Sequence, residues 1–162
     1  MAVTTDIVAT YKSPRKIFAR LLSAGIGEHQ LLACLMGFCA LAFVSQLPVR
    51  AREAHLTGAE LNMLLGASLL ALIFILPLLL YGLAFIMHLL ARVFKGQGAP
   101  MHARVALFWS LLATTPLMLL HGLVSGFIGE SAQEAAIGAL WFIMFLWFWS
   151  TGMWQAYWSK DA

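Results

Sequence analysis

The chain has 162 residues, of which 62% are apolar and only 10% are charged, and its formal net charge is +3. A soluble domain carries about 25% charged residues on its water-facing surface, so this composition excludes an ordinary soluble protein. It predicts an all-α, polytopic membrane protein with about four transmembrane helices. The lipid bilayer is therefore the expected surrounding, and no nucleic-acid partner is expected.

Residues 1–30 are predicted to form a cytoplasmic or interfacial segment ahead of a transmembrane domain over 31–162. Ser13 and Pro14 are typical of a helix start, and apolar side chains recur after them at helical spacing. The cations around the other side are Lys12, Arg15, Lys16 and Arg20. This pattern predicts a short amphipathic helix that contacts an anionic membrane surface through those cations, with an ordinary solvated segment as the alternative.

Four apolar segments follow, at about 31–47, 61–94, 103–127 and 135–158. The first is predicted to end at Gln46 and Pro48, before a polar loop at 49–60. The second is longer than a bilayer core of about 30 Å requires. Because no polar turn interrupts it, we expect one long helix, tilted or kinked at Pro77, rather than a hairpin of two helices.

Lysine and arginine are distributed unequally over the predicted loops. Eight of them flank one side of the predicted spans: Lys12, Arg15, Lys16, Arg20, Arg92, Lys95, Arg104 and Lys160. The other side has only Arg50 and Arg52, together with several glutamates. Since positive charge stays on the cytoplasmic side, both termini are predicted to face the cytoplasm, in agreement with an even number of spans.

The third predicted span contains a stripe of polar and small residues. Gly122 and Gly126 have the spacing that lets helix backbones approach closely. We therefore interpret Gly122, Ser125 and Gly126 as a helix-packing or partner contact. An intramembrane hydrolase that uses His121 and Ser125 is a less favoured alternative, because neighbours on one helix seldom form a nucleophile–base pair.

The same span offers a polar pathway through Thr114, Thr115 and His121. Pro77 and Pro116 lie near the middle of two spans, as in the broken helices of transporters. A small transporter or channel subunit is therefore the alternative function. Against it, no charged residue lies in the core of a predicted span, whereas ion-coupled carriers use such residues.

The five histidines do not predict a metal or haem site. His88 and His121 differ in depth by about 18 Å at helical rise, which is too much for two ligands of one haem. His29, His55 and His102 lie at span ends or in loops. We expect no catalytic residue, no metal ion and no cofactor.

The fourth predicted span is rich in aromatic side chains. Trp154, Tyr157 and Trp158 are typical of the aromatic belt at a membrane surface. Trp147 and Trp149 lie deeper, where an indole N–H requires a partner. These two residues predict a contact with another membrane protein, a pigment or a lipid, with simple packing as the alternative.

Two stretches carry a family resemblance. One is the basic entry from Ser13 to Leu22, SPRKIFARLL, and the other runs from Ala106 to Leu117 in the third span. With the succession of apolar spans, they make the chain similar to the bacterial branch of the Yip family, membrane proteins named for their interaction with Ypt/Rab GTPases in eukaryotes. The resemblance implies a non-enzymatic organiser, adaptor or accessory subunit of a bacterial inner membrane, which binds other membrane proteins or itself.

Overall fold

The computed structural model describes residues 3–159, which form helices and no strand. The helices are α1 (Val3–Lys12), α2 (Pro14–Ser23), α3 (Glu28–Thr57), α4 (Leu61–Leu70), α5 (Leu76–Val93), α6 (Pro100–Ala113), α7 (Thr115–Phe127) and α8 (Ala132–Tyr157). A π-helical turn at Ala71–Ile75 joins α4 to α5. The predicted all-α class is confirmed. Lys160, which contributes to the predicted charge distribution, lies outside the described residues.

Three helices are long and apolar enough to cross a membrane: α3, the continuous α4–α5 helix, and α8. The α6–α7 pair provides a fourth span if its 45° bend is counted within one crossing. The fold is therefore consistent with a polytopic membrane protein. We call the end of the bundle at Glu28, Ala99 and Tyr157 the proximal end, and the end at Gly58 and Gly129 the distal end.

The helix that contains the first predicted span is longer than predicted. α3 continues through Pro48 to Thr57 and ends at Gly58, whose φ of +71° is the left-handed conformation that favours glycine. Beyond its apolar part, the helix carries an ion pair between Arg50 and Glu53 on its own surface, at 2.6 Å, a spacing that supports a helix. Most of the predicted polar loop at 49–60 is thus helical.

The prediction of one long helix over 61–94 is confirmed by the continuous α4–α5 helix. A π turn lies where a kink at Pro77 is predicted. Pro77 has no N–H to donate to residue 73, and the preceding residue, Leu76, donates its N–H to the carbonyl of Ala71, five residues back. The wider turn keeps the helix continuous across the proline.

α6 is the innermost helix. Every residue from Val105 to Thr115 is buried, as expected for a helix that is apolar on all sides. α3, α5 and α8 pack around it, and the hairpin of α1 and α2 covers the remaining side. The predicted helix does begin at Pro14, but Ile17 and Phe18 on its apolar face are buried against the bundle instead of facing lipid.

Side-chain hydrogen bonds from the span itself and from α1 stabilise the bend between α6 and α7. Pro116 has no N–H, so the helix cannot continue its hydrogen bonds through this point. The hydroxyl of Thr114 lies 3.0 Å from backbone carbonyl oxygens of the preceding turn. The hydroxyl of Tyr11, at the end of α1, donates to the carbonyl of Ala113 at 3.0 Å. One turn earlier in α6, the indole of Trp109 donates to the hydroxyl of Thr10 at 3.1 Å.

These bonds predict that Tyr11→Phe destabilises the protein. Burial raises the pKa of the Tyr11 phenol, so the hydroxyl keeps its proton and remains a donor at neutral pH. Its removal leaves the carbonyl of Ala113 without this donor, at an expected cost of about 1–3 kcal/mol. The measurement is the melting temperature of the purified protein in mild detergent.

Tyr81→Phe is the matched control. It also removes one hydroxyl, but that hydroxyl donates to an exposed carboxylate, that of Glu28, at 3.0 Å. We expect a smaller loss, because water can replace the hydroxyl at an exposed site. Equal losses in the two variants would contradict a special role of Tyr11 at the bend.

Candidate functional site

Two cavities lie along the seam between α8 and the α4–α5 helix. α8 packs mainly against α2, α6 and α7, which leaves this seam loosely filled. The distal cavity has a volume of about 610 Å³ and lies between α3, the π turn, α7 and α8. The proximal groove has a volume of about 580 Å³ and lies between the last turns of α5 and α8. Both volumes fall in the range of about 300–1,000 Å³ typical of ligand pockets.

One wall of the distal cavity depends on the small residues of α7. A Cβ at Gly122 would overlap the carbonyl of Ser45, and one at Gly126 would overlap Pro48. The backbones of α3 and α7 therefore touch, and the two helices run parallel. The structure thus places Gly122 and Gly126 against another span, whereas Ser125, on the same helix, lines the cavity.

Polar groups from three helices line the distal cavity, which is otherwise apolar. They are Ser45 and Gln46 of α3, His121 and Ser125 of α7, and Trp141 of α8. The Nε1 of Trp141 is buried and has no hydrogen-bond partner among residues 3–159. A buried N–H without a partner is costly, and the described residues offer this indole no acceptor.

His121 also ties α7 to α8. Its Nε2 lies 3.0 Å from a carboxylate oxygen of Glu134, in the first turn of α8. Within residues 3–159, no hydrogen bond joins His121 to Ser125, the pair of the hydrolase alternative. Thr114 and Thr115 do not line this cavity, and their hydroxyls donate to backbone carbonyls. The residues of the predicted polar pathway are therefore not brought together.

The proximal groove is lined by the indoles of α8. They are Trp147, Trp149, Trp154 and Trp158. Met87, Leu90 and Phe94 of α5 form the opposite wall. Both tryptophans of the predicted partner contact, Trp147 and Trp149, thus lie in one groove, and the buried Nε1 of Trp149 has no hydrogen-bond partner among the described residues.

Polar contacts join three helices on the distal side of this groove. Glu28 of α3 pairs with Arg104 of α6 at 2.6 Å and accepts the hydroxyl of Tyr81 of α5 at 3.0 Å. Beyond Tyr81, α5 continues for about 18 Å toward the proximal end. The α5 wall of the groove lies in this last part of the helix.

Cations lie beside the proximal groove. Lys12, Arg15 and Lys16 are exposed around the tip of the α1–α2 hairpin. Arg15 shares a small pocket with Trp147 and Trp154, both of which also line the groove. None of these three cations forms an ion pair within residues 3–159, whereas Arg20, the fourth predicted surface cation, pairs with Asp6 of α1.

Sequence reasoning missed several of these residues. From the sequence, Gln46 is predicted to end a span and Ser45 is not singled out, although a polar pair inside a longer helix is a possible signal. No group of three His, Cys, Asp or Glu side chains within residues 3–159 is placed to hold a metal ion.

No family model, curated protein or solved structure matches the chain. The two cavities are therefore the features from which a function can be argued.

The contact between α3 and α7 predicts that Gly122→Ala destabilises the protein. The added methyl group would overlap the backbone carbonyl of Ser45, so the two helices must move apart. Such overpacking costs about 1–3 kcal/mol, measured as a lower melting temperature in detergent.

Gly66→Ala is the matched control, because a Cβ at this helical position meets no atom within 4 Å. It should be neutral or slightly stabilising, since alanine favours a helix by about 1 kcal/mol over glycine. If Gly122→Ala were as stable as Gly66→Ala, the close backbone contact would be refuted.

Proposed function

We propose that this chain is a non-enzymatic membrane adaptor, which binds a transmembrane helix of another membrane protein in the proximal groove. The observation that carries the proposal is the groove itself, an apolar channel lined by four indoles on an otherwise open seam. Large aromatic side chains that line a pocket are the residues that most often dominate binding energy.

The shape of the groove favours a helix as the occupant. Its walls are the last turns of two helices, α5 and α8, and a third helix of about 10–12 Å diameter can lie along the valley between them. Between helices in lipid, tight packing and hydrogen bonds supply the attraction, because the hydrophobic effect adds little there.

The charges at the rim indicate the chemistry of the partner. Lys12, Arg15 and Lys16 lie at the hairpin tip and have no carboxylate partner within residues 3–159, and Arg15 borders the groove through Trp147 and Trp154. Opposite charges across an interface increase specificity and the association rate. The partner helix should therefore carry aspartate or glutamate just outside its apolar segment.

The distribution of lysine and arginine supports an orientation. The proximal end also carries Arg92, Lys95 and Arg104, so the groove should open toward the cytoplasm. This is the arrangement of a multi-pass protein of a bacterial inner membrane with both termini cytoplasmic. The resemblance to the Yip family stays a prediction, and the groove supports an adaptor role without it.

Site-specific photo-crosslinking tests the proposal. A photoreactive amino acid at Leu90 or Trp154 should give one adduct with a second membrane protein when cells that express the full chain are irradiated. Phe74 is the control position, because it is similarly exposed (67%, against 61% for Trp154) but lies outside the groove. Mass spectrometry then identifies the partner and its crosslinked segment.

The proposal requires that the crosslinked segment of the partner is a transmembrane helix with an acidic residue just outside its apolar part. Arg15→Glu should lower the adduct yield at Leu90 several-fold, whereas Lys95→Glu, the same charge change outside the groove, should not. Adducts only with lipid, only with a second copy of this chain, or with equal yield at Phe74 would each overturn the proposal.

A further inference from the structure

We infer that a third pocket, at the proximal end of the bundle, binds a phosphate group. This loop pocket has a volume of about 560 Å³ and lies between the α5–α6 loop, the first turn of α6 and the end of α8. Its lining includes the polar side chains of Lys95, Gln97 and His102, and no aspartate or glutamate is among its described lining residues. The phosphate belongs either to a lipid headgroup or to a soluble compound, since both present the same oxygens.

The loop that forms this pocket is fixed against α8. The N–H of Gln97 donates to the carbonyl of Tyr157 at 3.2 Å. A Cβ at Gly98 would overlap the carbonyl oxygen of Ala156, so glycine is required for this close approach. Because the backbone is already held in place, less conformational entropy is lost when a ligand binds.

Two of the lining side chains present groups that can only donate hydrogen bonds. Lys95 is exposed on the loop, and its ammonium group has three N–H donors and no acceptor. The N–H of Ala99 donates to the Nδ1 of His102 at 3.4 Å, so the ring proton of His102 lies on Nε2, which is then a donor. Together with a positive charge, such donors select an anionic acceptor over a neutral one.

The charge balance around the loop pocket also favours an anion. α6 begins here with about +0.5 of an elementary charge and α8 ends here with about −0.5, so the two helix ends largely offset each other. The ammonium group of Lys95 remains as a full positive charge, and it forms no ion pair within residues 3–159. Arg92, whose carbonyl accepts the N–H of Lys95 at 3.0 Å, is a second cation without an ion pair among the described residues.

The position of the pocket favours phosphate among the anions. Tyr157 and Trp158, two aromatic residues of the predicted membrane-surface belt, line it, and this belt lies at the level of the lipid headgroups. A phosphate group presents acceptor oxygens in several directions, which suits donors that come from a loop and from a helix. The volume of the pocket is large enough for a phosphate with its glycerol attached.

The test is a titration of the detergent-solubilised full chain, followed by native mass spectrometry. The probes are dihexanoyl phosphatidic acid, glycerol phosphate, and dihexanoylglycerol, which has the same acyl chains as the first probe but no phosphate. We expect saturable one-to-one binding of a phosphate compound and no saturable binding of dihexanoylglycerol. Binding of glycerol phosphate would show that a soluble compound is sufficient, whereas binding of phosphatidic acid alone would assign the site to a lipid headgroup.

Lys95→Gln removes the charge at similar side-chain length, so it should weaken phosphate binding about tenfold, the equivalent of one hydrogen bond to a charged group. Gln97→Met removes the amide and should weaken binding about fivefold. Lys12→Gln is the matched control, because Lys12 is also exposed and without an ion pair among residues 3–159 but lies outside this pocket. It should leave the dissociation constant unchanged. Melting temperatures show whether each variant remains folded.

Several outcomes would overturn the inference. One is the absence of saturable binding of either phosphate compound. Another is equally tight binding of dihexanoylglycerol, which would indicate that acyl chains and not phosphate are recognised. A third is an equal effect of Lys12→Gln and Lys95→Gln, which would indicate general attraction to surface cations. Loss of crosslinking at Leu90 would refute the adaptor function but not this site, because the two readouts use different residues.

Discussion

The bend between α6 and α7 sets the main constraint on this fold. A backbone carbonyl that is shielded from water must be satisfied by the protein, and Pro116 prevents the helix from doing so alone. The hydroxyl of Thr114 donates to a backbone carbonyl of the preceding turn. The hydroxyl of Tyr11, on another helix, donates to the carbonyl of Ala113. The α1–α2 hairpin is consequently part of the bundle and covers the otherwise open side of the innermost helix.

Much of the fold could be predicted from the sequence where composition alone decides it. The second span is continuous because no polar turn interrupts it, and α2 begins at its proline. The prediction failed where tertiary contacts decide. α3 continues through Pro48 because the helix packs closely against α7 at Gly126, and α1 was missed because Thr10 bonds with Trp109, 99 residues later. Neither contact produces a pattern among neighbouring residues of the sequence from which it could be predicted.

The candidate site residues show the same division. Residue type was enough to single out the deep tryptophans of α8 and the polar face of α7. Their arrangement into a groove and a cavity depends on the offset between helices and on the π turn, which a linear pattern does not contain. The two cavities also differ in chemistry: the proximal groove is apolar with cations at its rim, whereas the distal cavity has a neutral, hydrogen-bonding interior.

The bond between Tyr11 and Ala113 joins residues 102 positions apart, which has a consequence for biosynthesis. The hairpin is synthesised before α6 and α8, which supply its acceptor carbonyl and the Gly152 surface against which Phe18 packs. The early helices can therefore enter the membrane before the hairpin has its complete docking surface. Complete docking of the hairpin against Ala113 and Gly152 consequently requires that α6 and α8 have already been made.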